Sequence, residues 1–203
     1  MTLLYLIRHG ENEYTRTGKL AGWTPGIKLN DAGRKQAEAL VERLQGVKLK
    51  AIYSSPLERA RETAAPLARA RGLEVTIHPG VGEVRYGEWT GKSLKRLAHT
   101  KLWRVVQLLP SAMQFPEGET MRGAQLRIVD ALEAIAQAYP KAGVAVFSHA
   151  DPIRMAVAHF LGLPLDLFQR LAVSTASINV LHVGQGAPTL VKLNDTGPAA
   201  AAR

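Results

Sequence analysis

Cysteine is absent from the 203 residues. That excludes disulfides, thiolate metal sites and a cysteine nucleophile, and leaves only His and carboxylates to build any metal site. No apolar run approaches the ~18 uninterrupted residues needed to span a bilayer. The opening residues form a strand-like stretch with no basic flank before it, unlike a signal peptide. A cytoplasmic protein without membrane contact is therefore expected. Also missing are a block of five basic residues and a basic stretch interleaved with aromatics, which argues against nucleic acid as a partner. The net charge of +9, from 26 Lys+Arg against 17 Asp+Glu, instead favours a small anion, phosphates above all.

What is present reads as one folded unit. Hydrophobic residues make up 46% and charged residues 21%, as in ordinary globular chains. One domain is expected over residues 1–195, with a frayed tail at 196–203 that ends in Pro-Ala-Ala-Ala-Ala-Arg. Residues 2–7, TLLYLI, predict a strand buried on both faces. Asn30 precedes a helix in which Ala37, Leu40, Val41 and Leu44 share one face, ending near Gly46. A second strand at 51–54 leads to Ser55 as N-cap and Pro56 as first helical residue, with Pro66 expected to bend or split that helix before Gly72.

A short strand at 74–77 follows, then a glycine-rich loop over 78–91 that reads as a working surface. Within 92–115, Trp103, Val105, Val106, Leu108 and Leu109 suggest a helix that partly covers something. Residues 119–139 are helical on a face including Leu126, Val129, Leu132 and Ile135; 144–148 is a buried strand and 152–161 a helix. Strands at 177–183 and 189–193 should form an antiparallel hairpin at one side of the sheet. Alternating strands and helices predict an α/β three-layer sandwich, a mostly parallel central sheet with helices on both faces.

In such sheets ligands bind beyond the carboxyl ends of the strands. There the first strand delivers Arg8 and His9, the Val144 strand delivers Ser148 and His149, and the helix after the second strand begins with Glu58, Arg59 and Arg61. Arginine forks match phosphate oxygens, and their field lowers the pKa of a nearby imidazole. A neutral histidine there can attack phosphorus. Glu83 and Glu88 of the glycine-rich loop are both candidates to protonate the leaving oxygen. Zinc on His9, His149 and Glu83 is disfavoured because two arginines would repel it, so neither metal nor cofactor is expected. His78, His99, His159 and His182 read as surface or core residues, and Trp23, Trp89 and Trp103 as core.

These residues resemble the histidine phosphatase superfamily, also called phosphoglycerate mutase-like. LIRHGE, GKLAGWTPGIKLNDAGRKQA, SSPLERARETA, GEVRYGEWTG and FSHADPIR are similar to its successive blocks, in order from residue 3 to about 183. The resemblance implies His9 as nucleophile, Arg8 and Arg59 as phosphate clamps, His149 as second histidine and Glu83 as proton donor. It thereby selects Arg59 over Arg61 and Glu83 over Glu88. It places Asn12, Thr15, Gly22 and Ala150 with Arg8, Arg59 and His149 around the substrate. Four positions depart from the pattern: Asn12 stands where Ser or Thr is frequent, Thr15 where Asn is, and Ala150-Asp151 where two glycines are common. Asp151 is read first as a helix cap, with orienting a pocket residue or repelling a second anion as the other readings.

The expectation is a metal-independent phosphomonoesterase acting through a phosphohistidine on a small phosphorylated metabolite. A phosphomutase (isomerase) using the same pocket is the alternative, since the GWTPG loop and SHADPIR block look most like small bacterial probable phosphomutases. A catalytically idle phospho-ligand binder is the third reading. A homodimer is retained as a candidate assembly.

Overall fold

The computed structural model describes residues 1–197; from residue 198 on, the expected tail lies outside the described residues. Among the described residues six strands form one sheet: β1 (Thr2–Arg8), β2 (Leu49–Ser54), β3 (Val75–Ile77), β4 (Gly143–Ser148), β5 (Ile178–Val183) and β6 (Thr189–Asp195). Their spatial order is β3-β2-β4-β1-β5-β6. The first four run parallel, while β5 is antiparallel to β1 and β6 to β5. The hairpin closes one edge, as the sequence predicts.

β1 reads as an unbroken apolar run because both of its faces are covered. Leu4 and Leu6 pack with Val144 and Val146 under α6 (Met121–Ala138) and α7 (Ala150–Phe160). Ile7 packs with Ala145 and Phe147 under α2 (Asp31–Arg43) and α3 (Glu58–Arg71). The three layers are thus helices, sheet, helices. Side chains such as Leu4, Ile7 and Phe147 are wholly buried, and each contributes about 1.5–3 kcal/mol of apolar burial.

Several local expectations are corrected by packing. Pro66 does not split α3, which runs unbroken from Glu58 to Arg71 with Pro66 buried; the packing of that buried face offsets one lost backbone hydrogen bond. The same helix starts later than Ser55-Pro56 suggests, with Leu57 at its N-cap. The segment after residue 92 forms two short helices, α4 (Leu94–Leu97) and α5 (Lys101–Leu108), with α1 (Glu13–Arg16) a single turn near the amino terminus. Leu126 is 60% exposed despite its apolar period. α7 begins at Ala150, so Pro152 sits in the first turn, where its missing N–H costs nothing. Among the described residues no helix is long and apolar enough to cross a membrane.

Register is what assembles the pocket. Arg8 is paired with Ser148 across β1 and β4, so the next residues, His9 and His149, emerge side by side at the carboxyl edge. The loop after β1 is pressed onto α2: a Cβ on Gly10 would lie 2.7 Å from the Gly33 carbonyl oxygen, and one on Gly33 would strike the Glu11 backbone. Both positions need glycine for that close approach.

Candidate active site

His9 is buried, with Nδ1 2.7 Å from the Gly10 carbonyl oxygen. A carbonyl only accepts, so Nδ1 carries the proton and Nε2 is left with a lone pair. Burial, then Arg59 and Arg8, hold its pKa well below the usual imidazole range, which keeps the ring neutral. The His149 ring lies edge-on to it, centroids 5.1 Å apart. Its Nε2 is 2.8 Å from Ser55 Oγ, whose hydroxyl can donate to it while accepting from the Leu57 N–H at 3.3 Å, which leaves the ring proton on Nδ1. Ser55 serves this histidine rather than capping α3. Burial and Arg59 hold His149 well below the usual range too, so its 3.8 Å approach to Glu83 Oε2 is not an ion pair.

Arg59 is wholly buried and donates from Nη2 to the Gly22 carbonyl oxygen at 2.8 Å. Arg8 donates from Nη1 to the Val173 carbonyl oxygen at 2.8 Å. Asn12 caps α1, its Oδ1 accepting from the N–H groups of Tyr14 and Thr15. The buried side-chain atoms without a protein partner, among the described residues, are Arg8 Nε, Arg59 Nε and Nη1, Asn12 Nδ2 and His149 Nδ1. All five nitrogens belong to residues that the sequence assigns to the pocket. Unmet burial of such groups costs about 1–3 kcal/mol each, so their concentration marks where ligand oxygens would be received.

Arg8, His9, Asn12, Arg59 and Glu83 line a cavity of about 290 Å³. Leu94, Trp103, Val106 and Gln107 also line it, which identifies what the 92–115 segment covers. The rim is tied to that cover where Leu94 N–H donates to the Gly18 carbonyl and Leu20 N–H to that of Lys92.

Glu83 is buried, its Oε1 accepting from the Val84 N–H at 2.9 Å. Burial and the nearby Asp151 push its pKa up to about 7, against the pull of Arg59. Near neutrality it can therefore both hold and release a proton. Arg61 and Glu88 are exposed, whereas Arg59 and Glu83 line the cavity. His9, Glu83 and two arginines do not resemble a metal shell, and among the described residues no three His, Asp or Glu are grouped as a ligand set.

The remaining expected residues take varied places. Thr15 lines the cavity, but its hydroxyl closes a capping box with the Asn12 backbone at 2.8 and 2.9 Å. Gly22 has φ of 51° and supplies the carbonyl that holds Arg59. Ala150 lines the cavity at the first position of α7. Asp151 is not a cap: His149 occupies that place, and the Asp151 carboxylate accepts from Tyr86 Oη at 2.9 Å and Arg154 Nη1 at 3.2 Å. Trp23 is only half-buried; its Nε1 donates to the Glu83 carbonyl at 2.7 Å, with the Arg85 guanidinium 4.0 Å above its ring.

Sequence reasoning missed Tyr86, Ser55 and Arg127. Arg127 reaches from α6 to the carbonyls of Gly80, Gly82 and Glu83 at 2.9, 3.1 and 3.2 Å, pinning the Glu83 loop. None carries a local signal of that role, except that Tyr86 lies three residues beyond Glu83.

Residues 4–196 match the sequence profile of the histidine phosphatase superfamily (branch 1). Phosphoserine phosphatase 1 of Hydrogenobacter thermophilus is 31% identical over 198 residues, covering 97% of this chain and 93% of that protein. A 2,3-bisphosphoglycerate-dependent phosphoglycerate mutase of Thermoplasma acidophilum is 28% identical, covering 92% and 90%. Among solved structures, a mutant phosphoserine phosphatase from Entamoeba histolytica in complex with phosphoserine superposes with a TM-score of 0.85 at 26% identity, covering 97% and 98% of the two chains.

Proposed function

Because the chain belongs to the histidine phosphatase superfamily (branch 1), we propose that this pocket hydrolyses small phosphomonoesters through a phosphohistidine at His9, within one catalytic unit over residues 1–195. The observation that carries the reading is the set of five unpartnered buried nitrogens on Arg8, Asn12, Arg59 and His149, the first three residues lining one cavity with His9 and the His149 ring lying edge-on to that of His9. In the first step His9 Nε2 attacks phosphorus, the phosphorus–oxygen bond to the alcohol breaks, and the departing oxygen takes the Glu83 proton. Arg8, Arg59, Asn12 and His149 donate to the equatorial oxygens as charge builds there. In the second step the Glu83 carboxylate removes a proton from water as its oxygen attacks phosphorus; the phosphorus–nitrogen bond breaks and His9 returns neutral. The two guanidiniums provide the positive charge, so no metal is needed.

The covered cavity favours one second reading. A phosphomutase passes the phosphoryl group to another hydroxyl and needs chain over its site; α4 and α5 supply some, and one relative is named as a mutase. An idle binding protein is disfavoured because the residues assigned here as nucleophile, clamps and proton donor all line one cavity.

The test is hydrolysis of an activated aryl phosphate in EDTA, followed by a rapid alkaline quench with labelled substrate. An acid-labile phosphoryl adduct on His9 is expected, with both adduct and activity lost in His9→Ala. Full activity in that variant, or strict dependence on an added divalent cation, defeats the mechanism.

A further inference from the structure

Asp151 departs from the family pattern, and its surroundings explain what it does. Its Oδ1 accepts from Arg154 Nη1 at 3.2 Å, and Arg154 is itself fixed by donating from Nε to the Leu171 carbonyl at 2.9 Å. Its Oδ2 faces Tyr86 Oη at 2.9 Å. The same tyrosine oxygen lies 3.3 Å from Glu83 Oε1. Tyr86 has one hydroxyl proton to give. The shorter contact to the Arg154-paired carboxylate takes it, and Tyr86 then turns a lone pair toward Glu83. An ionised Glu83 would set two acceptors face to face there, while the neutral acid, whose Oε1 also accepts from the Val84 N–H at 2.9 Å, carries less charge on that oxygen and can donate to the lone pair.

We propose that Asp151 and Tyr86 are positioning residues that keep the proton on Glu83 by fixing the Tyr86 hydroxyl as an acceptor toward it. The proposal rests on Glu83 being the proton donor. The other groups around Glu83 divide by sign and place. Arg59 from α3, the Val84 N–H on Oε1 and Arg8 from the end of β1 favour its ionised form. The neutral His149 ring stands 3.8 Å from Oε2, while Arg127 and Trp23 hold only its backbone carbonyl. Set against two guanidiniums, burial and the Asp151 charge are what keep the acid loaded near neutral pH. Burial, then Asp151 and Glu83, push the Tyr86 pKa far up, so its hydroxyl stays protonated and available for this arrangement. A glycine at 151 would leave the Tyr86 proton free to turn to Glu83 and stabilise the carboxylate instead. The gain is an acid matched to a poor leaving group and, once ionised, a stronger base for the water step.

The experiment measures kcat/KM for an alkyl and an aryl phosphate from pH 5 to 9 and follows their ratio, in which the ionisations of His9 and of the phosphate largely cancel. In the unaltered protein the ratio should fall as pH rises through about 7, since the alkyl oxygen needs the Glu83 proton and the aryl oxygen does not. Asp151→Asn and Tyr86→Phe should each move that fall toward acid by about one pH unit, which a purely structural defect would not do. Tyr86→Phe removes one oxygen from a ring held against Phe115, and it carries the test if Asp151→Asn does not fold. A fall left in place by the variants overturns the proposal. A ratio that is flat in the unaltered protein, or unchanged in Glu83→Gln, overturns the Glu83 assignment and the proposal with it.

Discussion

Arg59 Nη2 donates to the Gly22 carbonyl oxygen at 2.8 Å, and this one tether leaves Nε and Nη1 of the same guanidinium without partners. The fork is held at one prong and open at the other two. An ammonium cannot reproduce this, because its donors radiate from a single atom and one group cannot reach both the carbonyl and two phosphate oxygens in a plane.

Arg59→Lys is therefore expected to lower kcat/KM by about 10²-fold or more, in the range seen when a preorganised donor to developing charge is removed. Inhibition by inorganic phosphate should weaken in parallel, because the product occupies the same donors. Steady-state kinetics with phosphate inhibition checks both, and a variant within threefold of the parent on both counts removes Arg59 from the clamp.

Glu83 makes a prediction about stability. Its pKa is raised from an unfolded value of about 4.3 to about 7 in the fold, so the folded state binds its proton more tightly. The stability this contributes is fully present below pH ~4.3 and is lost as pH rises through the folded pKa. His9 and His149 have depressed values, so their contribution is present above about 6.5 and lost as pH falls. That opposite trend is common to parent and variant. The stability of Glu83→Gln relative to the parent should thus rise between pH 4 and 8, by at most about 4 kcal/mol for a shift of this size. Denaturant melts at several pH values measure it; a flat difference shows that Glu83 is not held protonated by the fold.

The third prediction concerns the acceptor. The cover over the cavity consists of the four residues of α4 and the eight of α5, with Leu108 68% exposed at its end. So short a cover is a poor barrier to water. With 3-phosphoglycerate and other phosphorylated metabolites as substrates, free phosphate should be the main product. Following phosphate and isomerised ester together decides the matter. Rapid isomerisation with little phosphate release would reverse the assignment to phosphatase while leaving the His9 chemistry in place.

The sequence by itself determined the strands of the sheet and the candidates for the reacting groups. β1 and β4 are legible because a strand covered on both faces must be apolar throughout, and the abrupt change to Arg8-His9 and Ser148-His149 marks where each leaves the core. Arg59 and Glu83 needed the family resemblance, since a helix period does not distinguish Arg59 from Arg61 and a loop has no period at all.

Only the tertiary structure decided how those groups are held. Ser55 beside Pro56 has the local form of a helix cap, yet its hydroxyl meets His149, 94 residues away in sequence. Asp151 in the first turn of a helix has the local form of a capping residue, yet it accepts a hydrogen bond from Tyr86, 65 residues distant. Pro66 should break a helix locally, yet it lies buried within an unbroken one. Each local expectation is worth about a kilocalorie or a few, which burial and long-range hydrogen bonds readily exceed. Which partner a side chain meets across the fold is set by strand order and register, and no local pattern in the chain encodes that meeting.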